Sequence, residues 1–368
     1  MKSQLIIYSF SAFILFILFI FNKRDDENFR KIRLFLFVLT VFFTLVITQT
    51  IFGSLLSVNK LYRRAEMERI VNSLLNGHQT SKKKILIVGS SYTSRGISGK
   101  LLEQKLITNG MNYKIHQLSF PGANSFEQDY YIDQYFQKIQ TKPEIVLIEI
   151  GTFENSVIIQ KDNYFSPNVI NYHDFKRTKY IIKTLFQTNK ATLCSYQKVE
   201  HSLVAVKHFL FNFFHIGIVE NLEPQHMVDF YYGFQPENYI FKDINLIISG
   251  LETIINKNII QLENDTQKNV EAIFRSYQVS RISTYGVNDI IFFSTPSADI
   301  KKVKSINQFM DIVKSNDIDI IDGNDIHILQ QLSGDYWTDF NHLNQNGALI
   351  FTNWLAEQLI GKFSNNAL

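Results

Sequence analysis

Asp339 and His342 stand three residues apart in Tyr336-Trp337-Thr338-Asp339-Phe340-Asn341-His342-Leu343-Asn344-Gln345-Asn346-Gly347, just ahead of the last predicted helix. At that spacing a carboxylate can hydrogen-bond an imidazole nitrogen, fix its tautomer and support the imidazolium formed when the ring takes a proton. Such a base needs a nucleophile. Lys84-Ile85-Leu86-Ile87-Val88-Gly89-Ser90-Ser91-Tyr92-Thr93 is an apolar strand running into a turn of small residues, where the Ser91 hydroxyl is held exposed. A serine hydroxyl is a poor nucleophile until a neighbouring base takes its proton. Ser91, His342 and Asp339 are therefore the expected nucleophile, base and orienting carboxylate of an acyl-transfer site. Taken alone, the Asp339/His342 segment also reads as a helix N-cap at Asn341 or Asn344 beside a buried, satisfied histidine. Ser91 is what favours the triad.

The elements that must bring these residues together alternate as strands and helices do in a parallel sheet with crossover connections. Ile85–Val88 is the first strand. Lys100–Thr108 is helical and stops at Asn109-Gly110, a C-terminal cap pattern. Tyr113–Leu118 is the second strand, leaving through Ser119-Phe120-Pro121-Gly122-Ala123-Asn124. A helix over Phe126–Ile139 follows, and Glu144–Ile150 is the third strand, leaving through Gly151-Thr152-Phe153-Glu154-Asn155. Three strand exits with glycine would gather at the carboxyl edge of an open sheet, where ligands bind. The backbone N–H groups of Ser91 and Gly122 are the expected oxyanion donors, because glycine lets the chain approach closely.

Farther on, Asp289–Phe293 reads as a strand leaving through Ser294-Thr295-Pro296-Ser297, Ile306–Lys314 as a crossover helix, and Ile318–Ile321 as a short strand. Leu349–Leu359 closes the chain with Leu349, Trp354, Leu355 and Leu359 on its apolar face. Between residues 156 and 283 the alternation lapses. That stretch reads as a largely helical insertion, with one or two helices over Leu251–Val279, capping the sheet edge or lying against a membrane. It holds His173, His201, His208, His215 and His226; the spacing of seven between His201, His208 and His215 marks one helical stripe, whereas a metal site wants pairs at three or four. No metal or cofactor is expected, and the glycine-rich phosphate loops are absent.

Composition sets the rest. With 368 residues, 45% apolar and 14% aromatic, the chain can bury a large core. A net charge of +3 without a long basic tract argues against nucleic acid, and the single cysteine, Cys194, excludes an intramolecular disulfide. Ser3 to Asn22 and Leu34 to Asn59 are uncharged and long enough to cross a hydrocarbon core, which needs about 20 helical residues. Lys23, Arg24, Arg30, Lys31 and Arg33 lie between them, so the positive-inside rule places that loop in the cytoplasm and both ends outside, against the counter-signal of Lys60, Arg63, Arg64 and Arg69. The expected organisation is a two-helix transmembrane hairpin over 1–60, an amphipathic linker over 61–83 and an α/β domain over 84–368, carrying the insertion 156–283.

Asp-x-x-His-x-Asn-x-x-Gly near the C-terminus, with Gly89-Ser90-Ser91 after the first strand, resembles the SGNH hydrolase superfamily over roughly residues 84–160 and 285–361. It is most similar to the cell-envelope branch, the D-alanine transfer proteins of teichoic acids and the alginate O-acetylation proteins. The resemblance implies a three-layer α/β/α fold with a parallel sheet of about five strands. It implies a serine-dependent O-acyltransferase or carbohydrate esterase at the bacterial inner membrane with its catalytic domain extracytoplasmic. Its partners would be the membrane, a cell-surface glycan or lipid-linked acyl acceptor, and a membrane-bound O-acyltransferase. It also implies a third oxyanion donor, an asparagine two residues after the glycine of the third strand exit. Phe153 stands there in this chain, which leaves Asn155 or Thr152 for that role. A non-catalytic envelope protein that binds polymer or scaffolds an acyltransferase is the other class of function.

Overall fold

The computed structural model describes residues 83–123, 125–139, 142–150, 173–187, 194–213, 237–256, 275, 277–287, 289–314 and 318–365, together with Phe35. The hairpin expected over 1–60 and the linker over 61–83 lie outside these residues, apart from Phe35 and Lys83. Among the described residues no helix is long and apolar enough to cross a membrane.

Five strands form one sheet: β1 (Lys83–Gly89), β2 (Tyr113–Ser119), β3 (Ile145–Glu149), β4 (Asp289–Phe293) and β5 (Asp319–Ile321). The order is β2-β1-β3-β4-β5 and every pairing is parallel. The connections reverse direction at β1 and β3, so the crevice beyond their carboxyl ends is where such a sheet binds ligands. Alternate residues point to opposite faces. Leu86, Val88, Val146, Ile148 and Phe292 join one core, and Ile85, Ile87, Ile145, Leu147, Ile291 and Phe293 the other. Burial on both faces explains why β1, β3 and β4 read as apolar runs, whereas β2 places the polar His116 and Gln117 inside as well. Each such side chain withdrawn from water contributes roughly 1.5–3 kcal/mol.

The first face is covered by α3 (Ser125–Lys138), α4 (Phe175–Gln187), α5 (Ser195–Phe213), part of α7 (Ile300–Lys314) and a helical segment at 277–284. The second is covered by α2 (Gly99–Thr108), α6 (Ile244–Asn256), α8 (Ile326–Leu329) and α9 (Gln345–Asn365). This is a three-layer α/β/α arrangement. Within 156–283 the described elements are all helical, and none of them enters the sheet.

Helix ends follow their caps. Ser98 Oγ accepts from Leu101 N at the start of α2, and Gly110 beyond its end has φ 79°, the left-handed conformation expected of a terminating glycine. Two helices begin earlier than periodicity predicts. Asp299 Oδ1 accepts from Lys301 N at 2.9 Å and starts α7 at Ile300 instead of Ile306. The helix expected from Leu251 starts at Ile244, just past Asp243, whose Oδ1 accepts from Leu246 N at 3.4 Å. In α9, Asn344 Oδ1 accepts from Gly347 N at 3.1 Å. That cap sets a phase in which Ala348, Phe351, Leu355 and Leu359 are fully buried while Leu349, expected on this face, turns outward.

A buried charge cluster ties the insertion to α3. Arg177 Nε bonds Asp129 Oδ2 at 3.1 Å and Arg177 Nη2 bonds Asp133 Oδ2 at 2.5 Å, while Arg281 pairs with the same two aspartates. Tyr285 Oη donates to Asp133 Oδ1 at 2.7 Å. Arg177 also pairs with the partly exposed Asp174, while Arg177, Arg281, Asp129 and Asp133 are each almost wholly removed from solvent.

Candidate active site

The nucleophile turn is built by short-range sterics and one distant carboxylate. Ser90 caps α1 (Ser91–Gly96), its Oγ accepting from Tyr92 N at 3.3 Å. Glu149, the last residue of β3 and fully buried, accepts from Ser90 N and Ser90 Oγ at 2.6 Å each, from Thr93 N at 3.3 Å and from Thr93 Oγ1. Those bonds satisfy donors that a helix start leaves without intrahelical partners. They also explain Gly89: a Cβ there would overlap both Thr93 Oγ1 and Glu149 Oε2.

Opposite this turn, the loop 337–343 closes on itself. Thr338 N donates to His342 O at 2.9 Å, and Trp337 bridges Leu343 in antiparallel fashion. Asp339 Oδ1 accepts from Asn341 N at 2.7 Å and His342 N at 3.0 Å, the local bonding that makes aspartate a turn former. The β4 exit braces the loop: Ala298 N donates to Phe340 O at 2.8 Å, and Ser297 Oγ to Asn341 Oδ1 at 2.7 Å.

His342 lies between the two pieces. Its Nδ1 is 2.8 Å from Asp339 Oδ2 and 3.0 Å from Oδ1, and its Nε2 is 2.9 Å from Ser91 Oγ. A carboxylate only accepts, so Nδ1 carries the hydrogen and Nε2 is left to receive the serine proton. Partial burial pushes the Asp339 carboxyl up, but the bonds from His342 Nδ1–H and from the Asn341 and His342 amides outweigh it and hold the group below the ordinary carboxylate range. The Tyr92 ring stacks on the imidazole at 4.7 Å between centroids, with 29° between planes. An arrangement of hydroxyl, imidazole and carboxylate within hydrogen-bond reach can deprotonate a serine during attack on a carbonyl.

All three residues singled out from sequence thus meet at the carboxyl edge. Gly122 is there too: Phe120 N donates to Gly89 O at 3.2 Å, which sets the β2 exit beside the β1 exit, and Gly122 has φ 69°. A side chain at that φ would be strained. Asn155 and Thr152 lie outside the described residues. Glu149 was not foreseen, although an acidic residue ending the apolar run Ile145-Val146-Leu147-Ile148 is a legible anomaly. Tyr92 carried no signal of its own.

His201 and His208 face inward on α5, and the His173 ring lies 5.0 Å from that of His208; His215 and His226 fall outside the described residues. Burial holds His173 well below its usual value and His208 down at about 4, with the charges of His208 and Arg177 adding to the first shift and Lys207 to the second. Among the described residues no group of three or more histidine, cysteine, aspartate or glutamate side chains is placed to hold a metal ion.

No protein-family model matches the chain, and no curated protein sequence is similar to it. Among solved structures it is similar to the lipase/acylhydrolase from Enterococcus faecalis, with 9% identity and a TM-score of 0.35 over 76% of this chain and 96% of that one.

Proposed function

We propose that the protein is a serine-dependent acyltransferase or esterase that acts on O-acyl groups. The observation that carries this reading is the bond from Ser91 Oγ to His342 Nε2 at 2.9 Å, with Asp339 on the other ring nitrogen. Ser91 Oγ attacks the acyl carbon and its proton passes to His342 Nε2. Asp339 keeps the ring oriented and stabilises the imidazolium. The tetrahedral oxyanion is met by the N–H of Ser91, which as first residue of α1 has no acceptor within its helix, and by that of Gly122. Asn155 would be the third donor. As the intermediate collapses, His342 returns the proton to the departing alkoxide, leaving an ester on Ser91. Water or an acceptor alcohol, deprotonated by His342, then releases the acyl group and restores the serine.

The finer reading joins this chemistry to the two uncharged N-terminal stretches and the SGNH-like motifs. A membrane hairpin would hold an extracytoplasmic domain at the bacterial inner membrane, beside a lipid-linked donor, a cell-surface glycan or a membrane-bound O-acyltransferase. The test is glycan ester content in cells carrying Ser91→Ala at normal protein level. The proposal expects the content to change as it does on full deletion. Wild-type content in Ser91→Ala, together with a change on deletion, would make the protein a scaffold and sink the catalytic reading.

A further inference from the structure

Lys302, in the first turn of α7, is only 3% exposed, and its Nζ has no hydrogen-bond partner. Instead the ammonium sits 3.1 Å from the centroid of the Tyr92 ring. The same ring stacks on His342. Two carboxylates of the site act on Lys302 electrostatically: Glu149, which holds the nucleophile turn, and Asp339, which orients the imidazole. A buried ammonium without a hydrogen bond is costly, and a desolvated cation–π contact of about 2 kcal/mol returns only part of that cost. The triad needs no such group, so its placement calls for a role.

We propose that Lys302 is a positioning residue for His342: its ammonium, seated on the Tyr92 ring, holds that ring against the imidazole and supplies the counter-charge shared by Glu149 and Asp339. The inference rests on the triad reading above and adds to it a layer behind the base. Tyr92 restrains the face of the imidazole, while Asp339 restrains its edge. With the ring held from both directions, Nε2 stays aimed at Ser91 Oγ through the proton transfer. A misplacement of about 1 Å can slow such a reaction roughly 100-fold.

The contact is conditional on charge. The groups that bear on Lys302 are Tyr92 from α1, Glu149 from β3, Asp339 from the loop before α9 and Asp299 at its own helix start. The three carboxylates favour the ammonium, yet burial outweighs them and brings the group down to about 7. Above that pH the ammonium becomes a neutral amine and its cation–π attraction for the Tyr92 ring is lost.

The test uses the full chain labelled with 13C at histidine Cε1, the His342 signal being identified by its loss in His342→Gln. Two quantities are read between about pH 6 and pH 9: the ring-current displacement of that signal, and the rate at which a fluorophosphonate modifies Ser91. Lys302→Met is expected to collapse the displacement and slow modification about tenfold at the acidic end of the range, while wild type approaches the variant as pH rises. Tyr92→Leu should reproduce both losses, and the double variant should be hardly worse than either. A Lys302→Met chain that keeps the wild-type signal and reacts within about twofold of wild type overturns the proposal. Should Lys302→Met fail to fold, Tyr92→Leu decides alone: reaction at the wild-type rate overturns it equally. Ser91 that never reacts, with a His342 signal still governed by Lys302, would instead refute the acyl-transfer reading.

Discussion

Glu149 at the end of β3 and Asp129 on α3 are both withdrawn from water, yet their surroundings differ in kind. Asp129, with Asp133, is met by the guanidinium groups of Arg177 and Arg281, which clamp the insertion to the first face of the sheet. Glu149 is met by two backbone N–H groups and two hydroxyls, all from the turn that presents Ser91. Opposite charges give strong, forgiving attraction that is expensive to break on one side only. Neutral donors give a bond pattern whose value lies in direction. The first arrangement fastens layers together, and the second fixes the turn from Ser90 to Thr93 to within hydrogen-bond tolerance. A serine that must meet a histidine at 2.9 Å needs the second kind.

The comparison can be broken or sharpened by substitution. Ser91→Ala and His342→Ala should each lower acyl transfer by at least about 10⁴-fold, roughly 5.5 kcal/mol of barrier, with no further loss in the double variant. Thermal unfolding of Ser91→Ala should match wild type, since that hydroxyl supports no core. Arg177→Met should act in the opposite way. It leaves Asp129 and Asp133 short of one cation and should destabilise by about 3–5 kcal/mol in denaturant titration, while the folded fraction still reacts with a fluorophosphonate at the wild-type rate. Loss of reactivity per folded molecule would mean that the clamp and the site are one cooperative unit.

Acid should loosen the insertion before the site. His173 and His208 are held neutral by burial, so below about pH 6.5 the unfolded chain binds more protons than the folded one. Stability is present above that pH and should fall as pH drops toward about 4, by roughly 2–3 kcal/mol from His208. His208→Gln should flatten that part of the profile; an unchanged slope would contradict the burial argument. The smallest effect is expected of Glu149→Gln. One amide N–H₂ then faces donors in place of an acceptor, which should cost about 1–2 kcal/mol in urea titration and slow Ser91 modification. If stability falls while reactivity does not, Glu149 is a fastener like Asp129 and the contrast between the two regions fails.

What the chain determined by itself is what sits within a turn or two along it. Asp339 and His342 can bond because they are three apart, and Asn109-Gly110 ends α2 because only its own backbone conformation is at issue. The strands from Ile85 and Asp289 were legible because burial on both faces demands unbroken apolar runs, which no distant residue alters. The same local rule misplaced the starts of α6 and α7, where Asp243 and Asp299 cap upstream of the apolar periodicity, and it turned Leu349 inward by a wrong helical phase. Tertiary structure decided the rest. Ser91 and His342 are 251 residues apart and meet only because the loop carrying His342 packs on the β4 exit, at the same sheet edge where β1 ends. Glu149 beneath the nucleophile turn and Lys302 on the Tyr92 ring follow from the adjacency of β1, β3 and β4, a strand order that no spacing encodes. Through-space chemistry is set by which chain segments pack side by side, and that choice belongs to the whole core, not to any stretch of it.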